Sequence, residues 1–92
     1  MEPEEKVRTV IQDIAQRRNN VTLSEIEWVM EKLSTAYTVR RRDARHGVLF
    51  SIGGQRFMVN NHNPGSKQVK SYSVDDFVSA MIELGWYEEE GK

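Results

Sequence analysis

The stretch that decides the fold reads VLFSIGGQRFMV and runs from Val48 to Val59. Apolar and more polar residues alternate on both sides of the Gly53-Gly54 pair, a pattern that is typical of two strands joined by a tight hairpin turn. The turn also predicts the register, which pairs Val48 with Val59, Phe50 with Phe57 and Ile52 with Gln55. Because primed hairpin turns need positive φ, we expect this conformation at Gly53 or Gly54.

The register divides the hairpin into two faces, because successive side chains of a strand point to opposite sides. One face is predicted to pack on helices, and its residues are Val48, Phe50, Ile52, Phe57 and Val59. The other is predicted to be more exposed, and its residues are Leu49, Ser51, Arg56, Met58 and Asn60. A preceding strand is predicted from Tyr37-Thr38-Val39, where β-branched and aromatic residues lead into a run of arginines.

Two helices are predicted before the strands, because apolar residues recur there with helical spacing. The first begins near Pro3, ends among Arg17, Arg18 and Asn19-Asn20, and has the apolar stripe Val7, Val10, Ile11 and Ile14. In the second, Thr22 and Glu25 have the spacing of a capping box. The stripe of this second helix is Ile26, Val29, Met30 and Leu33.

A last helix is predicted after a polar loop over residues 61–72. Ser73 and Asp76 have capping-box spacing, and Gly85 is a typical residue for the end of a helix. The apolar stripe is Val74, Phe77, Val78, Met81 and Leu84. Trp86 and Tyr87 are expected to fold back on the core.

The predicted fold class is therefore α+β, in the order α-α-β-β-β-α, with a three-stranded antiparallel sheet packed on helices. A chain of 92 residues is long enough for a single domain over 1–92. Within it we expect an extra N-terminal helix at 1–20, a core at 21–87 and an acidic tail at 88–92. The N-terminus lacks the basic and apolar regions of a signal peptide, and no apolar run is long enough to span a membrane.

The charge is strongly segregated although the chain as a whole carries only −1. Residues 36–72 have seven basic side chains and one acidic, a net +6, against −2 for residues 1–35 and −5 for residues 73–92. Such a positive block is typical of surfaces that bind phosphates. The candidate nucleic-acid-binding residues are Arg40, Arg41, Arg42, Arg45, Arg56, Lys67 and Lys70. The alternative is a solvated strand surface whose arginines pair with the acidic helices.

His46 is the candidate catalytic residue, since it follows the arginines at the entry to a strand. Nearby positive charge favours neutral imidazole, which could act as a general base toward a ribose 2′-hydroxyl while an arginine stabilises charge on the phosphate. The alternative is a polar residue that makes a local hydrogen bond. The chain has no cysteine and only two histidines, His46 and His62. We therefore expect no metal site and no cofactor.

Three segments resemble the HicA-type toxins of bacterial toxin–antitoxin systems. They are the helix entry Asn20–Ile26, the hairpin Val48–Val59 and the step Lys70-Ser71-Tyr72-Ser73-Val74 into the last helix. The resemblance implies a fold like that of double-stranded-RNA-binding domains and an mRNA interferase activity. With Phe50 aligned to the strand aromatic of that family, the position of its catalytic histidine falls on Gly47, one residue after His46. A bulge near Ala44–Gly47 would be needed to restore the direction of the His46 side chain.

The sequence leaves three functions open. The first is an RNA-binding, HicA-like protein with weak or no cleavage activity. The second is an active ribonuclease that uses His46, and the third is a protein-interaction domain that binds an acidic partner such as an antitoxin. Shape and phosphate contacts suffice for the first, so it needs no catalytic residue. The absence of cysteine and of a signal peptide favours the cytoplasm. We expect no membrane partner, and the sequence leaves the oligomeric state open.

Overall fold

The computed structural model describes residues 3–45, 47–61 and 67–88. Along the chain lie helix α1 (Pro3–Arg17), helix α2 (Leu23–Leu33), strand β1 (Val39–Ala44), strand β2 (Gly47–Ile52), strand β3 (Gln55–Asn60) and helix α3 (Ser71–Glu83). The predicted fold class and order of elements are confirmed.

The sheet is antiparallel, with β2 between β1 and β3. The predicted pairing of Phe50 with Phe57 is confirmed, and β1 adds Arg41 opposite Phe50. Gly53 and Gly54 have φ of +51° and +84°, so both adopt the positive φ that a primed hairpin turn requires. Every residue predicted to face the helices is buried, and those of the other face are half-buried or exposed.

The core lies between the sheet and the helices. The rings of Phe50 and Phe57 lie 5.6 Å apart between centroids, and Phe77 of α3 meets Phe57 edge-on at 5.7 Å. Helix α3 packs on β3, α2 contacts β1, and α1 packs against the two other helices. The remaining buried hydrophobic residues come from all three helices and the strands, so one continuous core holds the described part of the chain together.

Helix α2 begins as predicted. The side chain of Thr22 accepts a hydrogen bond from the Glu25 backbone N–H, and the Glu25 carboxylate accepts one from the Thr22 N–H at 3.0 Å. This capping box satisfies N–H groups that a helix start leaves without intrahelical partners. Helix α1 ends just before Arg18, which has a φ of +54°.

The start of α3 differs from the prediction. The helix begins at Ser71 with Lys70 as its N-cap, so Ser73 lies inside the first turn and forms no capping box with Asp76. Ser73 is buried, and its Oγ accepts a hydrogen bond from the backbone N–H of Asn60 at 2.9 Å. Ser73 therefore ties the helix to the end of β3, a tertiary role that local spacing does not reveal.

The polar loop predicted over 61–72 ends earlier than expected, because α3 already begins at Ser71; residues 62–66 of this segment lie outside the described residues. Val69 donates from its backbone N–H to the Val21 carbonyl at 2.9 Å, and Leu23 donates to the Lys67 carbonyl at 3.0 Å. Residues 67–69 therefore lie against the entry to α2. Trp86 and Tyr87 pack against the core as predicted, and Trp86 Nε1 donates to the Tyr37 hydroxyl at 3.0 Å.

Candidate nucleic-acid interface

The helices cover one face of the sheet, and the register assigns the other, which we call the open face, to three cross-strand rows. The rows are Arg40–Ser51–Arg56, Arg42–Leu49–Met58 and Ala44–Gly47–Asn60. Neighbouring strands lie about 4.8 Å apart and alternate residues of a strand about 6.7 Å apart. The open face is therefore roughly 10 Å wide and 13 Å long between Cα positions.

Three of the predicted arginines lie on the open face. Arg40, Arg42 and Arg56 are exposed, and none of them forms an ion pair with another described residue. Arg45 is exposed between β1 and β2, in the short connection beyond the last row. The guanidinium fork is suited to phosphate oxygens, so these four exposed side chains have the chemistry that phosphate contacts need.

Arg41 occupies a different place. It lies opposite Phe50 on the helix-facing side, where its guanidinium pairs with Glu27 of α2 and, at 3.3 Å, with Asp43. Burial by itself lowers the pKa of Arg41, but hydrogen bonds to Glu27 and Asp43 outweigh burial and leave the pKa above its ordinary value. Arg41 thus joins β1 to α2 rather than adding to the open face.

The acidic helices find their other basic partners within the helical layer. Arg18 binds Asp75 of α3 with both ends of its fork, at 2.8 Å and 2.6 Å. Arg17 pairs with Asp13 and Glu25. Among the predicted interface arginines, only Arg41 pairs with an acidic residue of a helix within the part of the chain that the structure describes.

The two predicted lysines lie beyond the end of β3. Lys67 is exposed in the segment that runs beside α2, and Lys70 is the N-cap of α3. The Nζ atom of Lys70 lies 5.8 Å from the centroid of the Tyr72 ring. The hydroxyl of Tyr72 accepts a hydrogen bond from Asn60 Nδ2 at 3.0 Å, and Asn60 belongs to the last row of the open face. Lys70 therefore extends the basic surface past the sheet.

His46, the predicted catalytic residue, and His62 lie outside the described residues. The neighbouring Gly47 is informative, because it pairs with both Ala44 and Asn60 in an unbroken register. A Cβ atom at Gly47 would lie 2.9 Å from the Asn60 Cα and closer still to the Val59 carbonyl oxygen. Position 47 therefore has no room for a side chain unless β3 moves away.

A groove follows the outer side of β3, reaches Leu49 of the central strand, and marks one edge of the basic surface. Arg56 and Met58 line it on the sheet side, and Asp76, Ser79 and Glu83 of α3 line the opposite side. A bound polyanion would be repelled by these two carboxylates. The charge pattern therefore favours an approach over the open face and away from α3.

Within the described ranges, no group of three or more His, Cys, Asp or Glu side chains is placed to hold a metal ion. No helix in the described part of the chain is long and apolar enough to cross a membrane. No family model, curated protein or solved structure matches this chain.

The sequence predictions did not distinguish Arg41 from Arg40 and Arg42, and they did not identify Tyr72 as a surface residue. The Gly53-Gly54 turn fixes which face Arg56 occupies, but β1 carries too few apolar residues to reveal its register against β2. The signal for Arg41 was the alternation of Arg40, Arg41 and Arg42 within a single strand, which must place neighbours on opposite faces.

Proposed function

We propose that this protein binds RNA through the open face of its sheet and acts as a HicA-like protein with weak or no cleavage activity. The observation that carries the proposal is a group of exposed arginines: Arg40, Arg42 and Arg56 lie on a face without an acidic residue among the described rows, and Arg45 lies just beyond the last row. Phosphate contacts by such residues supply much of the affinity of proteins for nucleic acids. The order α2-β1-β2-β3-α3 supports the likeness to double-stranded-RNA-binding domains. With RNA as its ligand, the protein is proposed to act in the cytoplasm.

The crowding at Gly47 supports the part of the proposal that concerns cleavage. The resemblance to HicA toxins places the catalytic histidine at position 47, and there a Cβ atom would collide with the backbone of β3. The open-face arginines need no such residue to bind phosphates. We therefore propose binding as the main activity, and a cleavage assay must exclude the ribonuclease alternative.

The binding test is a salt series with a short RNA hairpin, measured by fluorescence anisotropy. Each phosphate contact that is lost should reduce the slope of log K against log salt by about 0.7–0.9. We expect the double variant Arg40→Gln/Arg42→Gln to bind more weakly and with a slope lower by about 1.5. The matched control, Arg8→Gln/Arg18→Gln, removes the same charge from the helical layer and should leave the slope close to that of the wild type.

Arg41→Gln completes this test, because Arg41 is adjacent in sequence but paired with Glu27 on the other side. It should affect RNA affinity less than Arg42→Gln does. If the open-face double variant and its control lose affinity equally, net charge rather than this face governs binding. If wild-type protein does not bind RNA but binds an acidic protein, with little dependence of log K on log salt, the result would support an antitoxin-type partner instead.

The cleavage test is expression in a bacterial host without a cognate antitoxin. We expect wild-type protein to be tolerated and to leave RNA intact in vitro. Growth arrest on induction that is abolished by His46→Ala but not by His62→Ala would establish the ribonuclease and contradict this part of the proposal.

A further inference from the structure

Tyr72 is an aromatic side chain that the core does not use. It is 50% exposed, and Ile82 is the other exposed large hydrophobic residue of the described chain. Tyr72 lies in the first turn of α3, between the N-cap Lys70 and the buried Ser73. An aromatic ring at such a position offers a flat surface to a ligand.

The ring of Tyr72 is held in place from both ends. At its base, the Ser73 Oγ accepts a hydrogen bond from the Asn60 N–H at 2.9 Å, and the Lys70 N–H donates to the Asn60 carbonyl at 2.9 Å. At its tip, the hydroxyl accepts from Asn60 Nδ2 at 3.0 Å. Since the hydroxyl already makes this hydrogen bond, a ligand on the ring would restrict the side chain less than it would restrict one without a partner.

The position of Tyr72 connects it to the basic surface. Asn60 belongs to the last row of the open face, and Arg42 belongs to the middle row two strands away. From sheet geometry, the Cα atoms of Asn60 and Arg42 lie roughly 12 Å apart, within reach of a short oligonucleotide. Lys70 brings a cation to 5.8 Å from the Tyr72 ring centroid.

The rows of the open face contain no aromatic side chain among the described residues, since Leu49 and Met58 occupy the centre. Proteins that bind single-stranded nucleic acids combine a basic surface with aromatic rings on which bases stack. We propose that Tyr72 is this stacking residue: an unpaired nucleobase of bound RNA stacks on its exposed ring while Lys70 and Arg42 hold the adjoining phosphates. The inference rests on the proposed function and narrows its ligand to RNA with a single-stranded segment.

The test compares two fluorescein-labelled oligomers of equal length and charge, one a single-stranded RNA and the other its abasic counterpart. Wild-type protein should bind the RNA more tightly. Tyr72→Ala should lose about tenfold in affinity for the RNA, because stacking on a side chain is worth that order of effect, and should bind the abasic oligomer like the wild type. Tyr72→Phe, which keeps the ring and loses the hydroxyl, should retain most of the affinity.

Ile82→Ala is the matched control, because it truncates the other exposed hydrophobic residue on the outer part of α3, and it should leave both affinities unchanged. If Tyr72→Ala loses the same affinity for both oligomers, or loses none for the RNA, stacking on Tyr72 is ruled out. The proposed role of the arginines in RNA binding would not be affected by that result. Binding of neither oligomer by wild-type protein would overturn the proposed function together with this inference. Circular dichroism of each variant verifies that the fold is retained.

Discussion

Arg40 of β1 and Arg56 of β3 lie in one cross-strand row on the open face, each directly opposite Ser51 of the central strand. Their Cα atoms are about 10 Å apart, and no acidic side chain among the described residues stands between them. Two like charges on a small sheet slightly disfavour the folded state, whereas they favour a bound anion. The charges of this row are therefore expected to lower the stability of the fold and to strengthen the binding of an anion.

A carboxylate placed between the two arginines should change stability and RNA binding in opposite directions. We expect Ser51→Glu to raise the free energy of unfolding by about 0.2–1 kcal/mol relative to Ser51→Gln, because opposite charges become cross-strand neighbours. The same change should weaken RNA binding, since the new carboxylate occupies the arginines and repels phosphate. Urea unfolding and anisotropy titrations measure the two effects.

Ser51→Gln corrects for side-chain size and strand propensity, and it should bind RNA nearly as well as the wild type. A Ser51→Glu variant that is more stable and still binds with wild-type affinity would remove this row from the interface. If Ser51→Glu raises the free energy of unfolding and lowers the RNA affinity, the row is a binding surface rather than a structural one.

The two glycines of the hairpin turn should differ in their tolerance of alanine. Gly53 has a φ of +51°, near the left-handed region that other residues sometimes adopt, whereas Gly54 has a φ of +84°. Local strain alone would make Gly54→Ala the more costly change. However, a Cβ at Gly53 would lie 2.8 Å from Leu84 Cδ2 and 3.1 Å from Tyr37 Cδ1, whereas nothing lies within 4 Å of one at Gly54.

We expect Gly53→Ala to cost about 2 kcal/mol and Gly54→Ala about 1 kcal/mol, because the Tyr37 ring, which is hydrogen-bonded to Trp86, gives way less easily than the end of the Leu84 side chain. Thermal or urea unfolding of the two single variants decides the order. The reverse order would mean that Leu84 and Tyr37 adjust easily and that the turn conformation alone limits this position.

The hairpin and the helix stripes were predictable because local periodicity and burial agree in them. Val48, Phe50 and Ile52 alternate in the sequence and pack on helices in the fold, and Thr22 with Glu25 caps α2 as its spacing indicates. The start of α3 was not predictable in this way. Ser73 has the spacing of a cap, but its hydroxyl bonds to Asn60, thirteen residues away in the sequence, and this long-range contact determines its role.

The candidate site was predictable in composition but not in arrangement. The charge count identified the basic block, and Arg40, Arg42 and Arg56 do lie exposed on the open face, with Arg45 just beyond its last row. The separate role of Arg41 depends on Glu27, and the fixed position of Tyr72 depends on Asn60. Both partners are distant in the sequence, so only the folded chain brings them together.

Gly47 should be among the least replaceable residues of the sheet. We expect Gly47→Ala to cost about 1–3 kcal/mol or more, because the added Cβ must displace the backbone of β3 around Val59 and Asn60. Its partner in β1 provides a matched control, since Ala44→Gly removes one methyl group from an exposed position and should cost only about 0.5–1 kcal/mol. If Gly47→Ala is as stable as the wild type, position 47 can hold a side chain, and a catalytic histidine there is sterically allowed.

The last prediction concerns acid sensitivity at the junction of α1 and α2. Burial by itself raises the pKa of Glu25, but hydrogen bonds from Arg17 and Thr22 outweigh burial and leave the pKa below its ordinary value of 4.5. A carboxyl whose pKa is lower in the folded state contributes stability that is complete above the unfolded pKa and is lost as pH falls toward the folded one. The contribution of Glu25 should therefore disappear as the pH falls below about 4.5.

Glu25→Gln should accordingly be less stable than the wild type at pH 7, and the difference should shrink as the pH falls toward about 3. Arg17→Gln removes the partner of Glu25 and should make the free energy of unfolding depend less on pH in the same range. The double variant should therefore lose less free energy of unfolding than the two single variants lose in sum. Urea unfolding across this pH range measures all four proteins. Since Arg17 also pairs with Asp13, a residual effect of Arg17→Gln in the Glu25→Gln background is expected. If the free energy of unfolding of Glu25→Gln differs from that of the wild type by the same amount at every pH, the charge of Glu25 does not contribute. Its role would then lie in its capping hydrogen bonds, which glutamine can partly replace.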